Sequence, residues 1–478
     1  MAGARRDRGV VRGRPPRSAV SAPGRGVPRG LALLVAGTFF MEILDATVIA
    51  PAAPHIAADL AVEPVEVNVA ITAYLLTLAV LIPISGWLTD RYGARRVFVA
   101  AVAVFTLASA GCALAVDLPM LVGTRVLQGA GGALMVPVGR LVVIRTTAKT
   151  DLVRAIAYLT WPALVAPLVA PALGGVLSTY TSWRWIFVVN VPLGLIALVP
   201  AHRLVPEVRA DDAGPLDRRG FLLAAAGIAA LVAGLAGVAT PRPSAVVELG
   251  LGVLLLAGAV GYLLRTARPL VDLRILRVAT YRVTAFGGSV FRAVITAIPF
   301  LLPLFFQLGF GWSAARAGLV VIALFAGNVG IKPATTPLMR RFGIRTVMLT
   351  AVAASAAGLV AMAFLRAATP LPALLALLVL SGVFRSVGFT AYNTVAFADI
   401  PVERMTSANT LMSTMQELGA GLGVAVGALL VQLGGRLTVD AEGPFRIAFV
   451  VLAVLLLVPA AEALTLPRTA GNVVAGRG

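Results

Sequence analysis

The chain has 478 residues, 59% of them hydrophobic and 13% charged, with a mean hydropathy of +0.94. Soluble domains run at roughly 45–50% apolar and about 25% charged, so buried cores do not account for the excess and the chain reads as an integral membrane protein. A single cysteine, Cys112, excludes an intramolecular disulfide and a cysteine metal cluster, and with only His55 and His202 a histidine metal site is disfavoured.

The formal net charge of +19 would point to nucleic acid in a soluble protein. Its distribution along the chain argues instead for topology. Residues 1–29 carry eight arginines against Asp7 as the sole acid, with several Pro and Gly. Such a composition builds no core and predicts a disordered basic arm on the cytoplasmic side. The first apolar run holds Glu42 and Asp45 and shows no convincing cleavage site, so it is not read as a signal peptide.

From Leu31 onward, apolar runs of about 20 residues recur, each long enough to cross a hydrocarbon core of about 30 Å. Spans are predicted near 31–54, 68–89, 97–116, 119–144, 153–178, 185–204 and 220–239, then near 245–264, 282–307, 314–338, 346–365, 371–398, 405–433 and 445–466. That makes fourteen membrane helices. With the N-terminus inside, most of the 40 Lys and Arg residues fall in the arm, the tail and the cytoplasmic loops. Only Arg184, Arg242, Arg316, Arg366, Arg436 and Arg446 fall outside, while Arg125, Arg140, Arg292, Lys332 and Arg385 lie at membrane depth. The bias predicts a multi-pass protein of the cell membrane with both termini cytoplasmic.

An internal repeat divides these spans. Asp90-Arg91-Tyr92-Gly93-Ala94-Arg95-Arg96-Val97 recurs as Arg340-Arg341-Phe342-Gly343-Ile344-Arg345-Thr346-Val347. If the seventh and eighth spans are an insertion, each copy follows the second helix of a six-helix half. The expected organisation is a bundle over 30–205, two inserted helices over 219–265, a second bundle over 280–466 and a tail over 467–478. The inserted pair is expected at the periphery.

Glu42 and Asp45 are the costliest residues in the chain, because a carboxylate at the bilayer centre costs roughly 2.5–3.5 kcal/mol and so faces a cavity or a partner. Three residues apart, they share one helical face. Burial and a neighbouring like charge both hold a carboxyl toward its protonated form, which is the chemistry of a proton-coupled process. Arg125 does not shuttle a proton by losing one. It is read as the electrostatic switch partner of Asp45, with a purely structural ion pair as the alternative, and Glu42 is read as a second proton carrier or half of a structural charge pair. In the second half Glu417 is the one deep acid, beside Arg292, Lys332 and Arg385; either it bridges one of these bases or the uncompensated positive charge faces an anionic substrate. Gln128, Arg292, Arg385, Tyr392, Asn393, Gln416 and Glu417 are the candidates for substrate contact.

Several stretches resemble one family. Gly86 to Phe98, GWLTDRYGARRVF, is similar to the G-x-x-x-D-R-x-G-R-R loop of the major facilitator superfamily. Leu44 to Leu60 resembles the L-D-x-T-I-V-N-x-A-L-P-x-I motif of its drug:proton antiporters, with Asp45 on the family aspartate and Ala50 where Asn is usual. Arg125 to Arg140 is similar to the R-x-x-Q-G motif of the fourth helix. Trp161 to Phe187 resembles the antiporter motif G-x-x-x-G-P-x-x-G-G through Pro167, Pro171, Gly174 and Gly175, although Ala166 and Ala170 replace its leading glycines. Trp183 to Gly194, WRWIFVVNVPLG, is close to a marker of the fourteen-span drug-resistance branch.

The resemblance implies an all-α major facilitator fold, two six-helix bundles plus two extra helices. It also implies a proton-coupled exporter of drug-like or amphiphilic molecules working by alternating access, with Gly86, Asp90, Arg91, Gly93, Arg95 and Arg96 as a cytoplasmic gate. No enzyme activity, cofactor, metal or nucleic-acid partner is expected beyond the proton gradient, the lipid bilayer and a small-molecule substrate, and the chain is expected to be a monomer. Two alternatives stay open: a transporter of a specific metabolite, siderophore or lipid on the same fold, and a membrane sensor that does not transport.

Overall fold

A backbone that crosses lipid has to satisfy its own polar groups, and the α-helix does so within one segment. Every run predicted above is helical in the computed structural model, which describes residues 29–62, 66–209, 214–239, 243–267, 269–312, 314–467 and 469–471. The predicted arm over 1–28 and the end of the tail lie outside the described residues.

The helices are α1 (Arg29–Asp59), α2 (Val69–Tyr92), α3 (Ala94–Ala113), α4 (Leu118–Thr146), α5 (Leu152–Tyr180), α6 (Trp185–Leu204) and α7 (Arg218–Ala239). There follow α8 (Ala245–Arg265), α9 (Ala279–Gly309), α10 (Ala314–Gly330 with Lys332–Phe342), α11 (Ile344–Ala363), α12 (Leu371–Val395), α13 (Val402–Leu437) and α14 (Gly443–Thr465). Among the described residues, eleven are long and apolar enough to cross a membrane alone, and α10 makes a twelfth when its two pieces, bent by 50°, are taken together. Helices α5 and α7 have 29 and 22 residues. At about 1.5 Å per residue both exceed a bilayer core.

The two halves use the same pairings. Helix α1 packs on α5, α2 and α3 on α4, and α3 on α6; correspondingly α9 packs on α13, α10 and α11 on α12, and α11 on α14. In α2 a 3-10 turn at Ile82–Ile84 surrounds Pro83, whose missing N–H interrupts the hydrogen-bond ladder. The break in α10, just before Lys332 and Pro333, falls at the same register of the repeat.

Gly93 and Gly343 end α2 and α10 with φ of 90° and 83°, a region that side chains with a Cβ avoid. At Gly93 there is also no room for one, since the Glu207 carboxylate lies 1.6 Å from where a Cβ would stand. After each turn an arginine reaches the end of its half's last helix. Arg95 Nε donates to the Val205 carbonyl at 2.7 Å, and Arg345 donates to the Leu464 carbonyl at 2.9 Å. Cations suit helix C-termini, where carbonyls lack intrahelical partners.

The inserted helices depart from expectation. They pack closely on each other through small residues, with Gly227 and Gly234 against the backbone of Leu256 and Leu249, and Gly252 against that of Leu231. Helix α8 is peripheral, with only 17% of its most apolar stretch buried. Helix α7, however, touches both α2 and α13 and so lies over the seam between the two halves. Trp87 of α2 adds a hydrogen bond of 3.0 Å to the Gly214 carbonyl just before α7. Helical periodicity reports an apolar face but not the two helices it straddles.

Candidate functional site

Helix α1 carries both deep acids of the first half, and its neighbours give them different surroundings. Gly174 on α5 faces the Val48 carbonyl 2.5 Å from where a Cβ would stand, so α5 lies directly on the α1 backbone. The surroundings of Pro167, Pro171 and Gly175 lie outside what is described. On the inner side Asp45 is wholly buried, and so is Arg125 of α4. Arg125 Nη1 stands 2.5 Å from Asp45 Oδ2. The other carboxylate oxygen accepts from Gln128 Nε2 and from Asn190 Nδ2, each at 2.9 Å. Both amides also reach Ser109 Oγ, whose hydroxyl donates to the Phe187 carbonyl. Each Asp45 carboxylate oxygen thus has partners, as a buried charge requires.

Arg125 is held on its other side by rings. Its guanidinium carbon lies 4.1 Å over the Tyr74 ring and 5.8 Å from that of Phe187. The Tyr74 hydroxyl has no hydrogen-bond partner among the described residues. Tyr74 is also part of the wall of a central cavity of about 350 Å³. Glu42 lines this cavity one helical turn from Asp45, and the rest of the wall comes from α2, α4, α9, α10, α12 and α13. Phe39, Leu75, Phe325 and Phe389 supply apolar surface, and Arg140, Arg292, Arg385 and Glu417 supply charge.

The sequence candidates divide accordingly. Arg292, Arg385, Gln416 and Glu417 face the cavity. Gln128 does not; it belongs to the Asp45 cluster. Tyr392 donates to the Pro459 carbonyl and packs on Phe291, away from the central cavity. Asn393 stands behind Gln416, accepting from its amide at 2.6 Å, while Gln416 accepts from Arg140 Nη1 at 2.9 Å. Among the described residues Glu417 makes no ion pair, and Lys332 donates to Thr390 instead. Sequence reasoning gave no role to Tyr74, Ser109, Arg140 or Asn190. The last lay within the quoted WRWIFVVNVPLG stretch, and its buried amide position was the available signal.

On the Arg-rich side the halves are tied together. Asp90 accepts from Thr406, at the start of the α-helical part of α13, at 3.1 Å and lies 3.9 Å from Arg145 of α4, which itself donates to Thr406. A carboxylate next to a helix N-terminus is favoured by the unpaired amides there. A Cβ on Gly86 would stand 2.4 Å from Thr410 Oγ1, so α2 and α13 meet at van der Waals distance through this glycine. Lys149 donates to the Ala398 carbonyl and Asn409 to that of Pro137. Arg91 and Arg96 are exposed. The cavity is therefore shut on this side, while a fixed charge cluster and a charged, partly aromatic cavity wall adjoin α1 one turn apart.

Two repeated bundles around a shared charged cavity, closed at one end by a repeated basic loop, define a secondary transporter rather than an enzyme. The chain belongs to the major facilitator superfamily, whose family model matches residues 35–283 and 284–475. It is 37% identical over 443 residues to "Putative multidrug resistance protein MdtD" of Cronobacter sakazakii, covering 89% of this chain and 92% of that one. It is 36% identical over 461 residues to the protein of the same name from Enterobacter sp. strain 638, covering 93% and 96%. Among solved structures it resembles the proton:xylose symporter XylE, with a TM-score of 0.64 at 14% identity, covering 93% of this chain and 96% of that one. The human organic anion transporter MFSD10 superposes with a TM-score of 0.62 at 16% identity, covering 91% and 99%. At these identities the structural likeness speaks for the fold alone.

Proposed function

We propose that the chain is a proton-coupled exporter of drug-like or amphiphilic small molecules, working by alternating access across the cell membrane as a monomer. The carrying observation is the seat of Arg125, which grips the buried Asp45 carboxylate on one side and rests on the Tyr74 ring, part of the cavity wall, on the other. Protonation of Asp45 removes the charge that holds Arg125, and a guanidinium freed from its partner in a low-dielectric site has to move or find another acceptor. Movement of Arg125 alters Tyr74 and hence the cavity. Substrate and proton thereby compete through one side chain, as an antiporter requires.

The arginine bias assigns the closed end to the cytoplasm with both termini there. The Gly86 and Asp90 contacts then act as the cytoplasmic latch, with Arg95 anchoring the loop within its own half, so the conformation is one closed toward the cytoplasm. The multidrug-resistance naming of relatives over nearly the whole chain supports export of drug-like molecules.

The test uses purified protein in proteoliposomes that enclose a pH-sensitive dye. Amphiphiles of each charge type are added to wild type and to Asp45→Asn. Compound-triggered proton movement that disappears in Asp45→Asn is the expected result; flux that survives the substitution overturns the assignment of Asp45.

A further inference from the structure

The cavity holds three guanidiniums, from Arg140, Arg292 and Arg385, against two carboxylates, from Glu42 and Glu417. Their pairing is uneven. Among the described residues no cavity carboxylate comes within 4.0 Å of any of the three arginines. Arg292 is a like-charge neighbour of both Arg140 and Arg385; Glu42 and Glu417 offset it at Arg140 and Glu417 acts on Arg292 itself, whereas no acid acts on Arg385.

Arg385 is only 6% exposed. Its Nη2 donates to the Ile295 carbonyl at 2.6 Å, while Nε and Nη1 have no partner among the described residues. Arg292 Nε is likewise unpartnered, and its guanidinium lies 4.9 Å from the centre of the Phe389 ring. Gln416 cannot supply the missing acceptor, because its oxygen is taken by Arg140. A buried guanidinium with empty donor positions is expensive unless a partner arrives. The partner that matches a planar fork is a planar acid group accepting two parallel N–H bonds. A neutral water offers an acceptor but leaves the charge in place, and a lipophilic cation adds to it.

We propose that Arg385 and Arg292 form a subsite for the acid group of an organic anion, so that this transporter's substrates are carboxylates with an apolar body. The acid group lies in the Arg385 fork, and the apolar body rests on Phe389, Phe325 and Pro299, which line the same cavity. Arg140 already has an acceptor in Gln416 and is not counted in this subsite. The subsite rests on the export reading only for the direction of transport; binding is independent of it.

The test measures binding to wild-type protein in zwitterionic nanodiscs of three probes with one skeleton: naphthoate, naphthalenecarboxamide and naphthylmethylamine. Charge-assisted bonds exceed neutral ones by enough to separate acid from amide by about tenfold or more. Naphthoate is expected to bind most tightly, Arg385→Gln to bring it down to the amide's level, and Arg385→Lys to retain part of the difference. Arg292→Gln gives the same comparison if Arg385→Gln does not fold. Equal binding of acid and amide by wild type, tightest binding of the amine, or an acid preference that survives in Arg385→Gln and Arg292→Gln overturns the proposal. Oleate that displaces naphthoate assigns the natural acid to the bilayer, and failure to displace assigns it to the aqueous phase. Naphthoate binding without proton movement leaves the subsite standing and removes the antiport reading; cation-driven, Asp45-dependent proton movement with no naphthoate binding does the reverse.

Discussion

Asp45 and Arg125 meet at 2.5 Å with neither side chain reaching solvent, and no other acid touches that guanidinium among the described residues. Removing one partner of such a pair strands the other's charge, which costs about 3–5 kcal/mol. Arg125→Leu is therefore expected to lower the apparent melting temperature sharply in detergent. Asp45→Asn combined with Arg125→Leu is expected to recover most of that loss while remaining inactive. A double variant no more stable than Arg125→Leu alone would argue that packing, not charge, holds the site.

Tyr74 supports Arg125 with its ring, and its hydroxyl has no partner among the described residues. Tyr74→Phe should thus retain stability to within about 0.5 kcal/mol, since the cation–π face survives. Tyr74→Leu should lose about 1–3 kcal/mol through the missing ring contact and the imperfect fill. Melting curves of the two variants side by side decide the point, and a large loss in Tyr74→Phe would assign the hydroxyl a contact of its own.

Gly86 lies where α2 presses on α13, with Thr410 and Thr406 in the space a side chain would need. Gly86→Leu is expected to wedge the helices apart and to bias the protein away from the closed latch. Asp90→Asn, which weakens the contact with Arg145 and Thr406, should shift it in the same direction by less. Spin labels on Arg96→Cys and Glu403→Cys, both exposed positions, would report a longer distance in each variant; unchanged distances would remove the latch role.

Arg95 and Arg345 perform the same task in the two halves, each donating to carbonyls at the end of a last helix. Arg95→Ala and Arg345→Ala should each cost about 0.3–1 kcal/mol. Amide exchange should quicken at 201–208 in the first variant and at 463–466 in the second, each without affecting the other half. Exchange that changed in both halves at once would contradict their independence.

Much of this architecture was legible because membrane spans announce themselves by length and by charge at their ends. All fourteen predicted runs are helices, with ends a few residues from expectation. The Asp45–Arg125 proximity was legible too, since two opposite charges at membrane depth have few other ways to be accommodated. What sequence did not reveal was the allocation of polar groups between the Asp45 cluster and the cavity. Gln128 and Tyr392 were plausible cavity residues by helical phase alone, yet one completes the Asp45 shell and the other bonds to α14. Arg140 was visible at membrane depth, but its link to Gln416 crosses between halves that are 276 positions apart in the chain. Such long-range pairing is decided by bundle packing and leaves no local pattern. The seat of α7 over the seam was hidden for the same reason.

The proline-centred break shared by α2 and α10 has a mechanical consequence. In the first half the stretch up to Tyr92 passes as one span with the helix before it, whereas in the second the equivalent stretch turns by 50°. One joint is present twice and is held at two different settings. The two arms beyond these joints carry the repeated loops and their arginine anchors, so a change of angle at either joint tilts a loop together with the helix end tied to it. Under the alternating-access reading proposed above, inversion needs no new flexible point, only an exchange of settings between elbows that the chain already possesses.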